Sequence, residues 1–210
     1  MLPKDKESVD FGFKTVKKEQ KQELVNDIFD AVANKYDLMN DLTSFWIHRR
    51  WKEHLINWLA PQKNQILVDV AGGTGDIARK FIEAGGHSAY VIDINKEMIR
   101  SGKSKQASKK INWIVANAEE IPIKDNFFER ATIGFGLRNI PDRQKSLKEI
   151  FRILKPGGRF ICLEFSHVEN QLFRQLYDFW SFNFMPYIGD KITGKKAAYT
   201  YLVESIRKFP

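Results

Sequence analysis

A carboxylate followed at once by a glycine-rich turn is the feature of this chain with the clearest chemical meaning. The apolar run from Ile66 to Val70 carries Asp69 and leads into Ala71, Gly72, Gly73, Thr74, Gly75 and Asp76. Glycine suits such a turn because it adopts positive φ and because a ligand can approach backbone that carries no Cβ. The stretch therefore predicts a strand that leads into a cradle of nucleotide size.

A second carboxylate narrows the choice of ligand. Asp93 ends the next apolar run, Ala89 to Asp93, 24 positions after Asp69. A carboxylate at the end of a second strand is placed to accept hydrogen bonds from ribose hydroxyls. Gly73 to Ala78 also fits the dinucleotide pattern G-x-G-x-x-A, which alone is a weak signal. Both interpretations predict a ligand that contains adenosine.

Two further loops add polar groups at the same edge of the predicted sheet. A third apolar run ends before Asn117 and Ala118, where an amide side chain and main chain could hold adenine, and a fourth leads into 134–139, which contains Arg138. Ligands of such sheets bind beyond the carboxyl ends of the strands. A crevice of this kind resembles that of class I S-adenosylmethionine methyltransferases, whose cofactor needs no pyrophosphate contact.

The elements that must position these residues alternate along the chain. Apolar positions repeat with helical spacing over 22–41 and again from Ser44, a plausible N-cap, to the break at Pro61. The aromatic residues of the second helix are expected in the core. Strands are predicted at 66–70, 89–93, 112–115, 131–134 and 159–165, and helices at 76–84, 96–107 and 142–154. Such βαβ units predict an α/β fold, a doubly wound, mostly parallel sheet with helices on both faces.

The length of 210 residues fits one domain. We expect a helical cap at 1–60, a cofactor-binding core at 61–166 and an aromatic, substrate-side segment at 167–210. That last segment holds a dense aromatic run from Gln171 to Pro186, which is either core or a wall for an isoprenoid tail. A class I methyltransferase sheet has seven strands and the pattern predicts five, so the C-terminal strands are expected to be missing.

Composition restricts the cellular setting. The single cysteine, Cys162, lies in an apolar run and is expected to be a small buried hydrophobic residue. The first ten residues lack the apolar stretch of a secretory signal, and no apolar run has the length of a transmembrane helix. The net charge is +8, and the excess lies after residue 60, largely in 96–110 and 143–159. These basic runs are either solvated helix faces or a surface for an anionic membrane or nucleic acid.

Six segments together resemble the ubiquinone/menaquinone biosynthesis C-methyltransferase family. The resemblance covers nearly the whole chain, and its most specific parts are KYDLMND, AGGTGD and FGLRN, whereas LKPGG recurs in many methyltransferases. The segments are 29–41, 69–76, 117–122, 135–139, 154–166 and 201–207. Gly134 departs from the family pattern, in which Ser or another small residue is common.

The resemblance implies particular residues and a particular reaction. Thr74, Asp93, Asn117 and Ala118 would contact S-adenosyl-L-methionine, with Asp69, Gly73 and Gly75 shaping the turn and Asp69 anchoring the methionine amine. The reaction would move a methyl group from the sulfonium to a ring carbon of a polyprenylated benzoquinol or demethylmenaquinol. Such a carbon becomes nucleophilic when a neighbouring hydroxyl loses its proton.

Three residues are candidates for that step. Arg138 would stabilise the developing phenolate, and the proton acceptor would be a water held by Arg138, or Tyr36, or His48. Tyr36 continues an apolar helix face, so packing is an equal alternative for it. For His48, between Ile47 and Arg49, a structural role is favoured over a catalytic one. The four histidines have no ligand spacing, so no metal is expected.

The resemblance also implies partners and a location. We expect a bacterial-type cytoplasmic enzyme in peripheral contact with the anionic inner membrane, within a quinone-biosynthesis complex or as a homodimer, and no nucleic acid partner. Three alternatives remain open at this point. They are an RNA methyltransferase, suggested by the basic runs; an NAD-dependent oxidoreductase, suggested by Gly73 to Ala78; and a non-catalytic, truncated family member.

Overall fold

The computed structural model describes residues 8–33, 40–41, 44, 46–105, 108–166, 171, 175, 179–194 and 196–209. The chain divides into two compact units. The first combines Met1–Phe45 with Phe165–Pro210, and the second is Trp46–Glu164.

The described elements have the following bounds in chain order. The strands are β1 Ser8–Phe11, β2 Lys14–Lys17, β3 Ile66–Val70, β4 Ser88–Asp93, β5 Ile111–Val115, β6 Phe128–Gly134 and β7 Leu154–Leu163. The α-helices are α1 Lys18–Val32, α2 Ile47–Leu59, α3 Asp76–Glu83, α4 Lys96–Lys105, α5 Arg143–Ile153, α6 Met185–Thr193 and α7 Lys196–Lys208. A short 3-10 helix spans Leu137–Asn139, and a π-helix spans Trp180–Phe184. Among these described helices, none is both long and apolar enough to cross a bilayer.

The second unit is built on a five-stranded parallel sheet in the order β5-β4-β3-β6-β7. The predicted α/β fold is therefore confirmed, and β3 falls on its predicted bounds. The apolar run of β3 suits a central strand of a sheet that has helices packed on it. The core on one side includes Leu55 and Leu59 of α2, Ile77 and Phe81 of α3, and Val91 of β4.

The first unit contains a hairpin that the sequence pattern did not predict. Strands β1 and β2 pair antiparallel around Gly12, whose φ of +58° suits a tight turn. The ring of Phe11 stacks on Tyr201 of α7 with centroids 4.4 Å apart. The core of this unit is formed by Val32 of α1, Met185 of α6, and Ala198, Tyr199, Leu202, Val203 and Ile206 of α7.

Several expectations for the N-terminal helices were wrong in detail. The first described helix begins at Lys18, four residues before the predicted start at 22, and ends at Val32, whereas 34–39 of the predicted 22–41 helix lie outside the described residues. The second begins at Ile47, and its N-cap is Trp46 with a left-handed φ of 62°, not Ser44. Ser44 instead donates its hydroxyl to the Asn40 carbonyl at 2.7 Å. The tryptophans of this helix are not core residues, since Trp58, for example, is 68% exposed. The buried apolar residues of the helix are Leu55, Ile56 and Leu59.

The expectation of a buried Cys162 was also wrong. Its side chain is exposed on β7, which is an edge strand of the described sheet. Partial desolvation and the neighbouring Glu164 raise the pKa of the thiol to about 11. The thiol therefore stays protonated near neutrality, which argues against a nucleophilic role.

Part of the predicted basic surface serves internal contacts instead. Arg152 pairs with Glu149 at 2.7 Å and with Asp125 at 2.6 Å, and it also donates to the carbonyls of Ile121 and Ile123. Lys155 pairs with Glu129, and Arg159 donates to the Trp58 carbonyl. Half of the six basic residues in the second run thus make internal contacts, whereas Lys103 and Lys105 of α4 remain exposed.

Candidate functional site

The candidate site lies where the order of the strands reverses. From β3 the chain moves outward to β4 and β5, then returns to β6 on the other side of β3 and continues to β7. The loops that follow β3 and β6 therefore leave the sheet in opposite directions and open a crevice between them. The predicted loops after β3, β4, β5 and β6 all end strands of this one sheet, so the structure brings them to a single edge.

The turn after β3 requires glycine at specific positions. Gly73 and Gly75 have φ values of +55° and +73°, and the Gly75 N–H donates to the Gly72 carbonyl at 2.9 Å. A Cβ on Gly75 would lie 2.6 Å from the Trp113 ring, so this residue has no room for a side chain. Ala71 also has a left-handed φ, +51°, which is strained for a residue with a side chain. Such strain is common at binding sites.

Asp69 is buried beside this turn and is only half satisfied. Its Oδ1 accepts the Thr132 hydroxyl at 2.9 Å, because the two residues are register partners on β3 and β6. Its Oδ2 is buried and has no hydrogen-bond partner among the described residues. Burial raises the pKa of Asp69 to about 7, although Thr132 and Lys52 act to lower it. An unmet acceptor of this kind indicates a ligand that brings a donor or a positive charge.

Asp93 holds the turn in place from β4. Its Oδ2 accepts the Gly73 N–H and its Oδ1 accepts the Asn95 N–H, both at 2.8 Å. Asn95, which is buried, in turn caps the start of α4 by accepting the Met98 N–H at 2.8 Å. Burial raises the pKa of Asp93 to about 6, and these backbone donors limit the rise. A carboxylate oxygen can accept two hydrogen bonds, so capacity for a ribose diol remains.

A network of charges surrounds the end of the turn. Thr74 is buried, and its carbonyl accepts a hydrogen bond from Arg79 at 3.2 Å. Asp76, the first residue of α3, pairs with Lys52 of α2 at 2.8 Å and with Arg79 at 3.0 Å. Burial acts to raise the pKa of Asp76, but the two cations outweigh it and hold that pKa at about 2. Asp76 is therefore charged at every physiological pH.

Asn117 and Ala118 lie in the loop that follows β5. The Asn117 side-chain oxygen accepts the Glu119 N–H at 2.9 Å, so this amide shapes its own loop. Its NH₂ group and exposed position leave it able to donate to a base. The adjacent Ala118 is buried, which places a small apolar surface beside that amide.

The loop after β6 is strained and closed by an ion pair. Phe135 has a φ of +57°, and its carbonyl accepts hydrogen bonds from the Arg138 and Asn139 side chains. Arg138 is buried and pairs with Glu164 at 2.7 Å, while its N–H donates to the same carboxylate at 3.2 Å. A Cβ on Gly136 would lie 2.8 Å from that of Ala71, so the loops after β3 and β6 touch.

The proposed catalytic residues have different environments. Arg138 forms an ion pair with Glu164, so its guanidinium is held in a fixed position. His48 is buried on α2. Tyr36 lies outside the described residues. Arg138 and His48 thus lie in separate elements of the second unit, and the catalytic role of each stays a prediction.

Sequence reasoning missed four residues that shape the site. Thr132 pairs with Asp69, Glu164 with Arg138 and Lys52 with Asp76, and Asn95 caps α4. Glu164 stood inside a segment of the family resemblance, and Thr132 could have been found by aligning β6 with β3. The pattern offered no signal for Lys52, because a lysine on an amphipathic helix is ordinarily solvated.

The crevice fits the expected cofactor in charge. Three carboxylates, those of Asp69, Asp76 and Asp93, stand against the two cations Lys52 and Arg79. S-adenosyl-L-methionine carries a sulfonium, an ammonium and a carboxylate, and so has one net positive charge. Fully ionised, these five groups carry one net negative charge, opposite in sign to that of the cofactor, and Lys80 of α3 also acts on Asp76.

Comparison with known proteins identifies the family. The profile of the ubiE/COQ5 methyltransferase family matches residues 14–210. The ubiquinone/menaquinone biosynthesis C-methyltransferase UbiE of Brucella abortus (strain S19) is 51% identical, with an alignment that covers 95% of this chain and 77% of that protein. The protein of the same name from Brucella anthropi is also 51% identical over 95% of this chain, and 79% of its length is covered.

Solved structures agree on the fold. A putative S-adenosyl-L-methionine-dependent methyltransferase from Methanococcus maripaludis superposes with a TM-score of 0.59 at 18% identity, covering 84% of each chain. The complex of the Haloferax volcanii Trm112 methyltransferase activator with a putative methyltransferase gives 0.56 at 23% identity, covering 64% of this chain and 58% of that one. The class I fold and the family resemblance drawn from the sequence are both confirmed. The chain belongs to the ubiE/COQ5 methyltransferase family, and it is a methyltransferase that uses S-adenosyl-L-methionine.

Proposed function

We propose that this enzyme methylates a ring carbon of a polyprenylated quinol, either a benzoquinol or a demethylmenaquinol. The observation that carries the proposal is the family match over residues 14–210, together with relatives named for ubiquinone and menaquinone biosynthesis at 51% identity. No feature of the crevice favours RNA or a nicotinamide cofactor over this function.

Different residues of the crevice bind different parts of the cofactor. Asp93 accepts the ribose hydroxyls, and Asn117 with Ala118 borders the adenine. Thr74 contacts the methionine end, and the unmet Oδ2 of Asp69 accepts its ammonium. Gly73 and Gly75 keep the turn free of side chains, so that the backbone can approach the ligand. When bound, the cofactor supplies an electrophilic methyl group.

The chain must also raise the nucleophilicity of the quinol ring. Arg138 stabilises the phenolate through its N–H groups. Glu164 fixes the guanidinium of Arg138, which in turn holds the strained backbone of Phe135. The phenolic proton passes to a water held by Arg138, or to Tyr36 or His48. Burial of both members of the ion pair excludes water, which strengthens these electrostatic effects.

Contact with the membrane is supported by an aromatic surface on the first unit. Five exposed aromatic side chains form it: Phe13, Phe179, Phe182, Phe184 and Tyr187, which are 41–62% exposed. The rings of Phe13 and Phe182 lie 6.1 Å apart, and the Lys191 ammonium lies 4.7 Å from the Tyr187 ring. Exposed aromatics beside cations suit the interface of an anionic bilayer, where a polyprenylated quinol resides. The location that we propose is therefore the cytoplasmic face of the inner membrane.

A transfer assay tests the proposed reaction. The enzyme would be mixed with S-adenosyl-L-methionine that carries a trideuteromethyl group, and with short-chain demethylmenaquinol, short-chain demethylated benzoquinol or total RNA in separate reactions. Mass spectrometry is expected to find the labelled methyl group on a ring carbon of at least one quinol. Label on RNA, or on a quinol oxygen alone, would contradict the proposal.

A further inference from the structure

Lys52 is a buried cation that the proposed mechanism leaves unused. It lies in the middle of α2, where it is 7% exposed, and its ammonium is 2.8 Å from the Asp76 Oδ2. Within the described part of the chain this is the single hydrogen bond that the ammonium makes. An ammonium has three N–H donors, so two of them are available to something else. Burying a lysine with donors unmet is costly and calls for an explanation.

Neutralisation of Asp76 is an insufficient explanation. Arg79 already pairs with Asp76 from the next turn of α3, at 3.0 Å. Lys52 lowers the pKa of Asp76 more than Arg79 does, yet a carboxylate with one cation at hydrogen-bond distance is already neutralised, and burying a second cation beside it adds a desolvation cost. Lys52 therefore brings more positive charge to the end of the glycine turn than its one partner requires.

Asp69 has an acceptor oxygen without a donor, which complements the spare donors of Lys52. Its buried Oδ2 lacks a hydrogen-bond donor, and a Cβ added to Gly72 would lie 2.9 Å from that oxygen, so this carboxylate borders the turn directly. The charge of Lys52 acts on Asp69 as well as on Asp76. The turn is thus bordered by an acceptor without a donor and by a cation with spare donors. A ligand that satisfies both must carry a positive and a negative group close together, as the zwitterionic end of an α-amino acid does.

We infer that Lys52 is a cofactor-binding residue, whose ammonium binds the carboxylate of the methionine end of S-adenosyl-L-methionine while Asp69 binds the adjacent ammonium. The inference rests on the proposed cofactor site and adds to it a residue that distinguishes the amino-acid end of the ligand. Asp76 acts as a positioning residue that directs the Lys52 side chain toward the turn.

Ligand affinities separate this role from a structural one. Calorimetric titration would compare S-adenosyl-L-methionine with its decarboxylated form, which keeps the sulfonium and the ammonium but lacks the carboxylate. The wild-type protein is expected to bind the complete cofactor more tightly. The Lys52→Met substitution should weaken that ligand by about 10-fold or more, the worth of a charged hydrogen bond, and leave the decarboxylated ligand nearly unchanged. Lys52→Arg should retain most of the preference.

The matched control is Arg79→Met, which removes the other cation from Asp76. It should change both affinities by the same factor, because Arg79 is assigned no ligand contact. An equal loss for both ligands in folded Lys52→Met, or a preference that is unchanged there, would overturn the inference. Failure of the wild-type protein to bind either ligand would instead overturn the cofactor site itself. Thermal unfolding of each variant confirms that folded protein is compared.

Discussion

At the scale of single residues, Asp69 both lowers the stability of the fold and provides an acceptor for the ligand. A carboxyl with a pKa raised to about 7 is held partly neutral by the fold, although its Oδ2 is well placed for a cation. Its neighbours Thr132 and Lys52 partly offset the burial. The fold thus gives up stability near neutral pH to keep an acceptor ready, which is common at functional sites.

This trade predicts a pH dependence of stability. The pKa of Asp69 is about 7 in the folded state against 3.8 for the ordinary group, so the folded state binds more protons between those values and the free energy of unfolding falls as pH rises. Asp69→Asn should remove that fall, which amounts to up to about 4 kcal/mol between pH ~4 and pH ~8. Urea denaturation at both pH values measures it. A stability difference between the two proteins that does not change with pH would contradict the account.

The ion pair of Arg138 and Glu164 gives a second prediction at this scale. Both side chains are about 5% exposed, so removing one charge leaves the other buried without its counterion. Glu164→Gln should lower the free energy of unfolding by about 3 kcal/mol.

The matched control is Glu97→Gln, which breaks the exposed pair with Arg100. It should cost less than about 1 kcal/mol, because water already screens that pair. Equal losses in the two variants would show that the buried pair does not stabilise the loop after β6.

At the scale of elements, the glycine turn after β3 depends on contacts from the neighbouring strands β4 and β5. Gly75 leaves room for the Trp113 ring, and Asp93 at the end of β4 holds the Gly73 N–H. The turn is therefore built from β3, completed by β4 and packed by β5. A change at one of its glycines should be felt both in stability and in cofactor affinity.

A pair of glycine substitutions tests this. Gly75 and Gly157 have nearly equal positive φ, +73° and +77°, but only at Gly75 would a Cβ meet a neighbour, the Trp113 ring at 2.6 Å. Gly157→Ala should cost about 1 kcal/mol from backbone strain alone. Gly75→Ala should cost several times that and weaken S-adenosyl-L-methionine binding, as thermal unfolding and calorimetry would measure. Similar effects at both positions would mean that steric room at the turn is unimportant.

Elements were predictable from sequence where periodicity and burial agree. Strands β3, β4 and β5 and helices α3 and α5 were placed to within about one residue at each end, because each carries a clear apolar pattern. The starts of the other two strands were wrong: β6 begins at Phe128 rather than 131, and β7 begins at Leu154 rather than 159, directly after α5. The hairpin of β1 and β2 was missed, since its strands are short and carry charged residues between the apolar ones. The positions of Asp69 and Asp93 followed from strand ends. The Asp69–Thr132 and Arg138–Glu164 pairs depend on strand register, which the pattern of one strand does not reveal.

At the scale of the whole molecule, the aromatic surface and the basic character of the chain both favour contact with an anionic membrane. The chain has a net charge of +8, and its exposed aromatics include the contacting pair Phe13 and Phe182. In the proposed membrane contact, basic residues would attract the protein to an anionic surface and aromatic rings would supply the short-range attraction. The proposed contact would bring the enzyme to a quinol that does not leave the bilayer.

Vesicle binding tests this account. The protein should sediment with vesicles of phosphatidylcholine and phosphatidylglycerol, less in high salt and least with phosphatidylcholine alone. A Phe13→Ser, Phe182→Ser double variant should bind about 100-fold more weakly, because it withdraws two large apolar side chains from burial and each is worth about tenfold. The control is Phe151→Ser on α5, an 83% exposed aromatic outside that surface, which should bind as the wild type does. The reverse ranking would place the contact at α5.

The central claim is that the crevice between β3 and β6 holds the cofactor, and calorimetric titration with S-adenosyl-L-methionine tests it most directly. The wild-type protein should bind, and Asp93→Ala should bind about 100-fold more weakly, because it loses the ribose acceptor and the clamp on Gly73 together. Asp125→Ala, which removes a carboxylate paired with Arg152 away from the crevice, should bind like the wild type. Unchanged affinity in folded Asp93→Ala, or no binding by the wild-type protein, would contradict the account.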